Sequence, residues 1–146
     1  MRLARKPWAL AALALVLLLP LGLARAQAPG AGDQDVQAAS EPILRQLDAF
    51  RRDDFAAAYT FASEEIRRRF DRAQFEAMVR GGYPEIARSV FAMIAEGERA
   101  PNGNVYLVLK IRGANGVSVE AVYEMVSETD GWKINGVVTK PDLGSV

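Results

Sequence analysis

The feature that most constrains this chain is a change of period near residue 88. Before it, apolar residues recur at three- and four-residue intervals. After Arg88 they alternate, with turn signals at Asn102-Gly103, Asn115-Gly116 and Asp130-Gly131. Four alternating runs separated by three Asx-Gly turns describe an antiparallel meander.

Register follows from the apolar faces. Val105, Leu107, Leu109 and Ile111 form one face of the second strand; Val117, Val119, Ala121, Tyr123 and Met125 form one face of the third. A two-residue turn at Asn115-Gly116 would set Ile111 against Glu120 and mix the faces. A three-residue loop, Ala114-Asn115-Gly116 with a left-handed glycine, sets Ile111 against Val119, Leu107 against Tyr123 and Lys110 against Glu120. The same reasoning predicts a four-residue loop, Glu128–Gly131, in the last hairpin. Met125 then faces Ile134, Tyr123 covers Gly136 and Ala121 meets Val138, a glycine under an aromatic being suited to a bent or bulged strand. The first strand, Phe91–Glu96, is apolar on both faces and reads as buried. On the outer face Tyr106, Val108, Val122 and Val126 are unusually apolar for solvent.

The earlier half reads as three to four short helices. Ser40 reads as an N-cap with Pro42 in the first turn, ahead of the stripe Ile43, Leu44, Leu47 and Phe50. Asp53-Asp54 restarts the chain before Phe55, Ala58, Tyr59 and Ala62, and Ser63 caps a short helix holding Ile66. Asp71 and Gln74 form a capping box, with Phe70 and Phe75 at the flanking hydrophobic-staple positions. Gly81-Gly82 is read as the stop and Tyr83-Pro84 as an extended exit. Helices on one side of a curved four-stranded antiparallel sheet make an α+β fold.

Residues 1–26 read as a secretory signal. A basic start (Arg2, Arg5, Lys6) precedes an apolar run from Trp8 to Leu19, and Ala24-Arg25-Ala26 offers the small residues of a cleavage site. The run is twelve residues, short of the ~20 of a spanning helix. The expected organisation is then a flexible lead-in at 27–39, a single domain at 40–141 and a tail at 142–146, in a periplasmic or secreted protein. The whole chain has 18 basic and 18 acidic residues; the signal holds four of the basic ones and no acid, leaving a net charge of −4. That argues against nucleic acid and, once the signal is cleaved, against a membrane partner.

The chain has no His and no Cys. Ser-His-Asp and Cys-His catalysis, thiolate or imidazole metal sites and disulfides are thereby excluded. No phosphate loop, dinucleotide fingerprint or calcium loop is present, so neither a metal nor a cofactor is expected.

The stretch Phe61-Ala62-Ser63, Ile66, Phe70, Phe75, Met78-Val79-Arg80 and Gly82-Tyr83-Pro84 resembles the signature of domain-of-unknown-function family 4864. The closing Gly131-Trp132 and Ile134 are similar to that family as well, and the resemblance covers roughly residues 40–141. The pattern also looks like the wider nuclear-transport-factor-2-like, cystatin-like superfamily. That likeness implies a cone-shaped sheet wrapped on a helix, often with a pocket.

The leading expectation, by this analogy, is a non-enzymatic domain holding a small apolar or amphiphilic ligand between helices and sheet. Arg80 and Tyr83 are candidates for the pocket rim; Tyr123, Trp132 and Tyr59 are candidates for its lining. The bland reading competes at each of them: Arg80 offsets a helix dipole, and the aromatics pack the core. Arg67, Arg68 and Arg69 read as a solvated helix face paired with Glu64 and Glu65. An isomerase- or cyclase-type enzyme using Tyr and a carboxylate is one alternative. The other is an interaction module, a homodimer formed through the outer sheet face.

Overall fold

In a computed structural model that describes residue 28 and residues 30–144, the change of period marks the boundary between helices and sheet. The expected signal, residues 1–26, lies outside the described residues. Five helices precede four strands: α1 (Ala31–Arg51), α2 (Phe55–Thr60), α3 (Glu64–Arg69), α4 (Arg72–Gly82) and α5 (Pro84–Ala87). The strands are β1 (Ser89–Arg99), β2 (Val105–Gly113), β3 (Ser118–Glu128) and β4 (Gly131–Pro141), in the meander order β1-β2-β3-β4. The helices cover one face of this sheet, giving an α+β fold consistent with a nuclear-transport-factor-2-like cone.

The helical half departs from expectation at both ends. The first helix begins at Ala31, so residues 31–39 are helical rather than a flexible lead-in, and Ser40 is internal rather than an N-cap. Its hydroxyl donates to the Gln37 carbonyl at 2.7 Å. Pro42, expected in the first turn, sits in the helix interior. The added turns extend the buried stripe: Val36 packs against the core, and Ala39 is fully buried ahead of Ile43, Leu47 and Phe50. At the other end Gly81 and Gly82 belong to α4, and Tyr83 closes it by donating its N–H to the Val79 carbonyl. Instead of an extended exit, Pro84 starts the single turn of α5, where its missing N–H removes nothing the helix needs.

Between these ends the caps are as expected. The Ser63 hydroxyl accepts from the Ile66 N–H, and Asp71 and Gln74 exchange both bonds of the capping box at 2.8 and 2.9 Å. The basic end of α3 is paired on its own surface, Arg68 with Glu64 and Arg69 with Glu65.

In the sheet, Ile111 pairs with Val119, Leu107 with Tyr123 and Lys110 with Glu120, as the three-residue loop requires. Gly116 takes φ 81°, the left-handed conformation that a glycine adopts without strain. The ion pairs are distributed differently: Glu120 holds Lys140 at 2.9 Å, and Lys110 reaches Asp142 at 3.7 Å.

The last hairpin matches only near its turn. Met125 pairs with Ile134, and the ladder runs on to Glu128 and Gly131, leaving Thr129-Asp130 as the connection. Asn135 is then an extra residue in β4, which turns Gly136 toward Glu124 and sets Val137, not Gly136, opposite Tyr123. Ala121 meets Thr139, and Val138 is 71% exposed on the outer face. A bulge was anticipated there; its one-residue shift in register was not.

Strand β1 also corrects the reading. It is an edge strand, with Val90, Phe91 and Met93 exposed, rather than a strand buried on both faces. Val90 and Ala95 are extra residues in its pairing with β2.

Candidate functional site

Between the α3–α5 segment and the β3–β4 half of the sheet lies a partly open cleft of about 290 Å³. Its helical wall comes from Ile66, Phe70, Phe75, Met78, Val79 and Ile86. Its sheet wall comes from Tyr123, Ile134 and Val137, with Asn135 and Gly136 at the bulge. The capping box and the staple residues Phe70 and Phe75 fix where α4 starts, and the extra residue Asn135 places the irregularity of β4 in the sheet wall of the cleft.

The bulge is tied down from the helical side. Ser63 Oγ donates to Asn135 Oδ1 at 2.8 Å. The Ser63 N–H donates to the Ile134 carbonyl at 2.8 Å, and the Ile134 N–H donates to the Phe61 carbonyl at 2.9 Å. This short parallel bridge anchors the chain before α3 to the outer edge of β4.

Two of the five expected site residues meet in the cleft. Tyr83, at the end of α4, donates its hydroxyl to the Val137 carbonyl at 3.3 Å. Tyr123 is buried to 1% exposure, and its hydroxyl has no hydrogen-bond partner among the described residues. Burial raises the Tyr123 phenol well above the usual tyrosine range, and the neighbouring Tyr83 phenol adds to the shift, so Tyr123 stays neutral.

The other three lie elsewhere. Arg80 does not line the cleft. Its guanidinium sits 4.3 Å from the Phe55 ring centroid and bonds Glu76 at 3.0 Å and Asp53 at 3.4 Å. Asp53, at φ 55°, also takes Arg88 at 3.4 Å, so Arg80 belongs to a clamp on the α1–α2 junction. Tyr59 stands behind the cleft wall, its ring 5.3 Å from that of Phe75 and its hydroxyl donating to the Phe70 carbonyl at 2.6 Å. Trp132 borders a separate shallow groove with Phe61, Pro42 and Lys133.

Sequence reasoning missed Arg69 and the bulge residue Asn135. Arg69 lines the cleft while its guanidinium, two-thirds exposed, pairs with Glu65 at 2.9 Å. Its position one residue before Phe70, at the end of α3, was the available signal. No Asp or Glu is among the lining residues, so the cleft tyrosines have no carboxylate beside them there. Among the described residues no group of three or more acidic side chains is placed to hold a metal ion.

No curated protein matches the chain. The family model "Domain of unknown function (DUF4864)" matches residues 33–145, seven residues further toward the N-terminus than the resemblance drawn from the sequence. That extension takes in most of the first three turns of α1, and with more than half of the chain matched, the protein belongs to the DUF4864 family.

Proposed function

We propose that this chain is an exported domain that binds a small, mainly apolar ligand in the cleft between α3–α5 and the β3–β4 sheet wall. The observation that carries the reading is the cleft itself. It is lined chiefly by aliphatic and aromatic side chains, with a few convergent polar groups, which is the usual composition of a small-molecule site. Its volume of about 290 Å³ is at the small end of such sites and favours a compact ligand. Export is supported by the layout of residues 1–26. The lack of a carboxylate in the lining favours binding over an isomerase that pairs Tyr with a carboxylate base.

Native mass spectrometry of the protein purified from its expressing cell tests the reading. A reproducible bound mass is expected, and it is expected to disappear in Met78→Trp, which fills the cleft from its half-buried wall. A bound mass that Met78→Trp leaves unchanged would refute the cleft as its site.

A second reading, a homodimer through the outer sheet face, is favoured by the exposed Phe91, Met93 and Val138 beside half-buried Val108 and Val122. Val138→Glu would then shift the solution mass from dimer to monomer.

A further inference from the structure

We infer that the ligand of this cleft carries a neutral hydrogen-bond acceptor oxygen, of the ketone, ester or lactone kind, and that it is received by the Tyr123 hydroxyl. The inference rests on the cleft being a binding site and adds the chemistry of what enters it.

Tyr123 lies on the inner face of β3, paired across the sheet with Leu107 and Val137. Its ring fills the core as a phenylalanine would. The residue lines the cleft, and its hydroxyl adds a donor that finds no partner among the described residues and is itself almost wholly covered. A buried polar group left unpaired is costly, so the bare protein is less stable than a phenylalanine there would make it. A ligand oxygen that accepts this bond removes the cost on binding.

The surroundings define the oxygen. Tyr83 already donates its own proton to Val137, so of the two cleft tyrosines the one with its donor unused is Tyr123. The other uncharged polar side chains in the lining are the amides of Gln46 and Asn135. Gln46 donates to the Ala58 carbonyl at 3.1 Å, and Asn135 accepts from Ser63. The cation in the lining, Arg69, is mostly exposed and already paired with Glu65. A carboxylate at the floor would therefore be buried without a counter-charge, and an ammonium group would meet no carboxylate; either is disfavoured strongly in an apolar site. A neutral carbonyl oxygen meets neither penalty. The high pKa of Tyr123 keeps it a donor throughout the physiological range.

The test separates this inference from the reading it rests on. N-phenyl-1-naphthylamine, a neutral apolar fluorophore, reports occupancy of the cleft in the wild type, Met78→Trp and Tyr123→Phe. Competition then compares 2-decanone with its hydrocarbon isostere 2-methyl-1-decene and with decanoate. The expected result is dye binding that Met78→Trp abolishes and Tyr123→Phe retains, the latter showing that the variant is folded. Tyr123→Phe is expected to lower the affinity for the ketone relative to the isostere by about three- to tenfold. Decanoate, with its charge at the mouth near Arg69, is expected to be unaffected by that substitution. A ketone-to-isostere ratio that Tyr123→Phe leaves unchanged overturns the inference, as does a decanoate affinity that falls with it; both leave the cleft reading standing. Dye that fails to bind, or binds Met78→Trp as well as the wild type, overturns the cleft reading and the inference together.

Discussion

Gly97→Ala tests whether the early turns of α1 are docked on the sheet. Gly97 pairs with Leu107 on the inner face of β1, and Val36 of α1 lies directly over it. A methyl group built there would stand 2.5 Å from Val36 Cγ1 and 3.0 Å from Leu107 Cδ2. Carbon atoms prefer about 3.5–4.0 Å, so the overlap with Val36 is about 1 Å. Leu107 meets the methyl with the far end of a flexible side chain. Val36 is β-branched on a helix, where about 90% of such residues hold one rotamer, and it has little room to turn away. Overpacking of this kind costs about 1–3 kcal/mol, offset by roughly 0.4–1 kcal/mol from the stiffer unfolded chain. The expected net loss is about 1–2 kcal/mol by urea unfolding followed by circular dichroism. In a Val36→Ala background the 2.5 Å contact is gone, and Gly97→Ala is expected to be neutral or slightly stabilising. A coupling of about 1–2 kcal/mol between the two sites is therefore predicted. Single effects that simply add would refute the docking of residues 31–39 against β1.

Three further outcomes are expected. Asp71→Ala, which removes the acceptor of the capping box, should destabilise the fold by about 1 kcal/mol in the same denaturant assay. Ser63→Ala, which loses both the α3 cap and the bond to Asn135, should cost about 1–2 kcal/mol and loosen hydrogen-exchange protection around Ile134. Tyr123→Phe should stabilise the unliganded protein by about 1 kcal/mol, since an unpaired donor is removed. It should also blunt alkaline unfolding. Burial holds the folded phenol above the ordinary tyrosine value of 10.0, so stability is unaffected by its titration below pH 10 and falls as pH rises from there through the folded pKa. A denaturant midpoint measured from pH 8 to 11 should fall less steeply in the variant.

The sheet was legible because its faces alternate cleanly: a one-residue slip of Leu107, Leu109 and Ile111 against Val119, Ala121 and Tyr123 would mix the faces, and the short loop at Asn115-Gly116 selects the register that does not. The caps at Ser63 and Asp71 were legible because the side chains that make them are local. The first turns of α1 were not, because Gly30, Gly32 and Pro29 dominate the composition there and the buried stripe is carried only by Val36 and the small Ala39. Burial of β1 was misjudged because alternation does not say which strand ends up at an edge. Within the candidate site, Tyr83 and Tyr123 could be placed from the end of α4 and the β3 face. Arg80 could not: its partner Asp53 is distant in sequence, and the left-handed backbone at that position is set by how α1 turns into α2.

Both margins of the sheet carry the irregular residues, Val90 and Ala95 in β1 and Asn135 in β4, while the central β2–β3 ladder has none. An open four-stranded sheet with Val90, Phe91 and Met93 exposed on a margin would otherwise offer a straight template to any extended segment, including its own kind in a crowded compartment. An incoming strand at either margin meets a ladder whose spacing is broken, and on the β4 side it finds the backbone of Ile134 already taken by Phe61 and Ser63. The extra residue in β4 that borders the cleft thus also discourages aggregation by strand addition, so deleting Asn135 is expected to cost solubility.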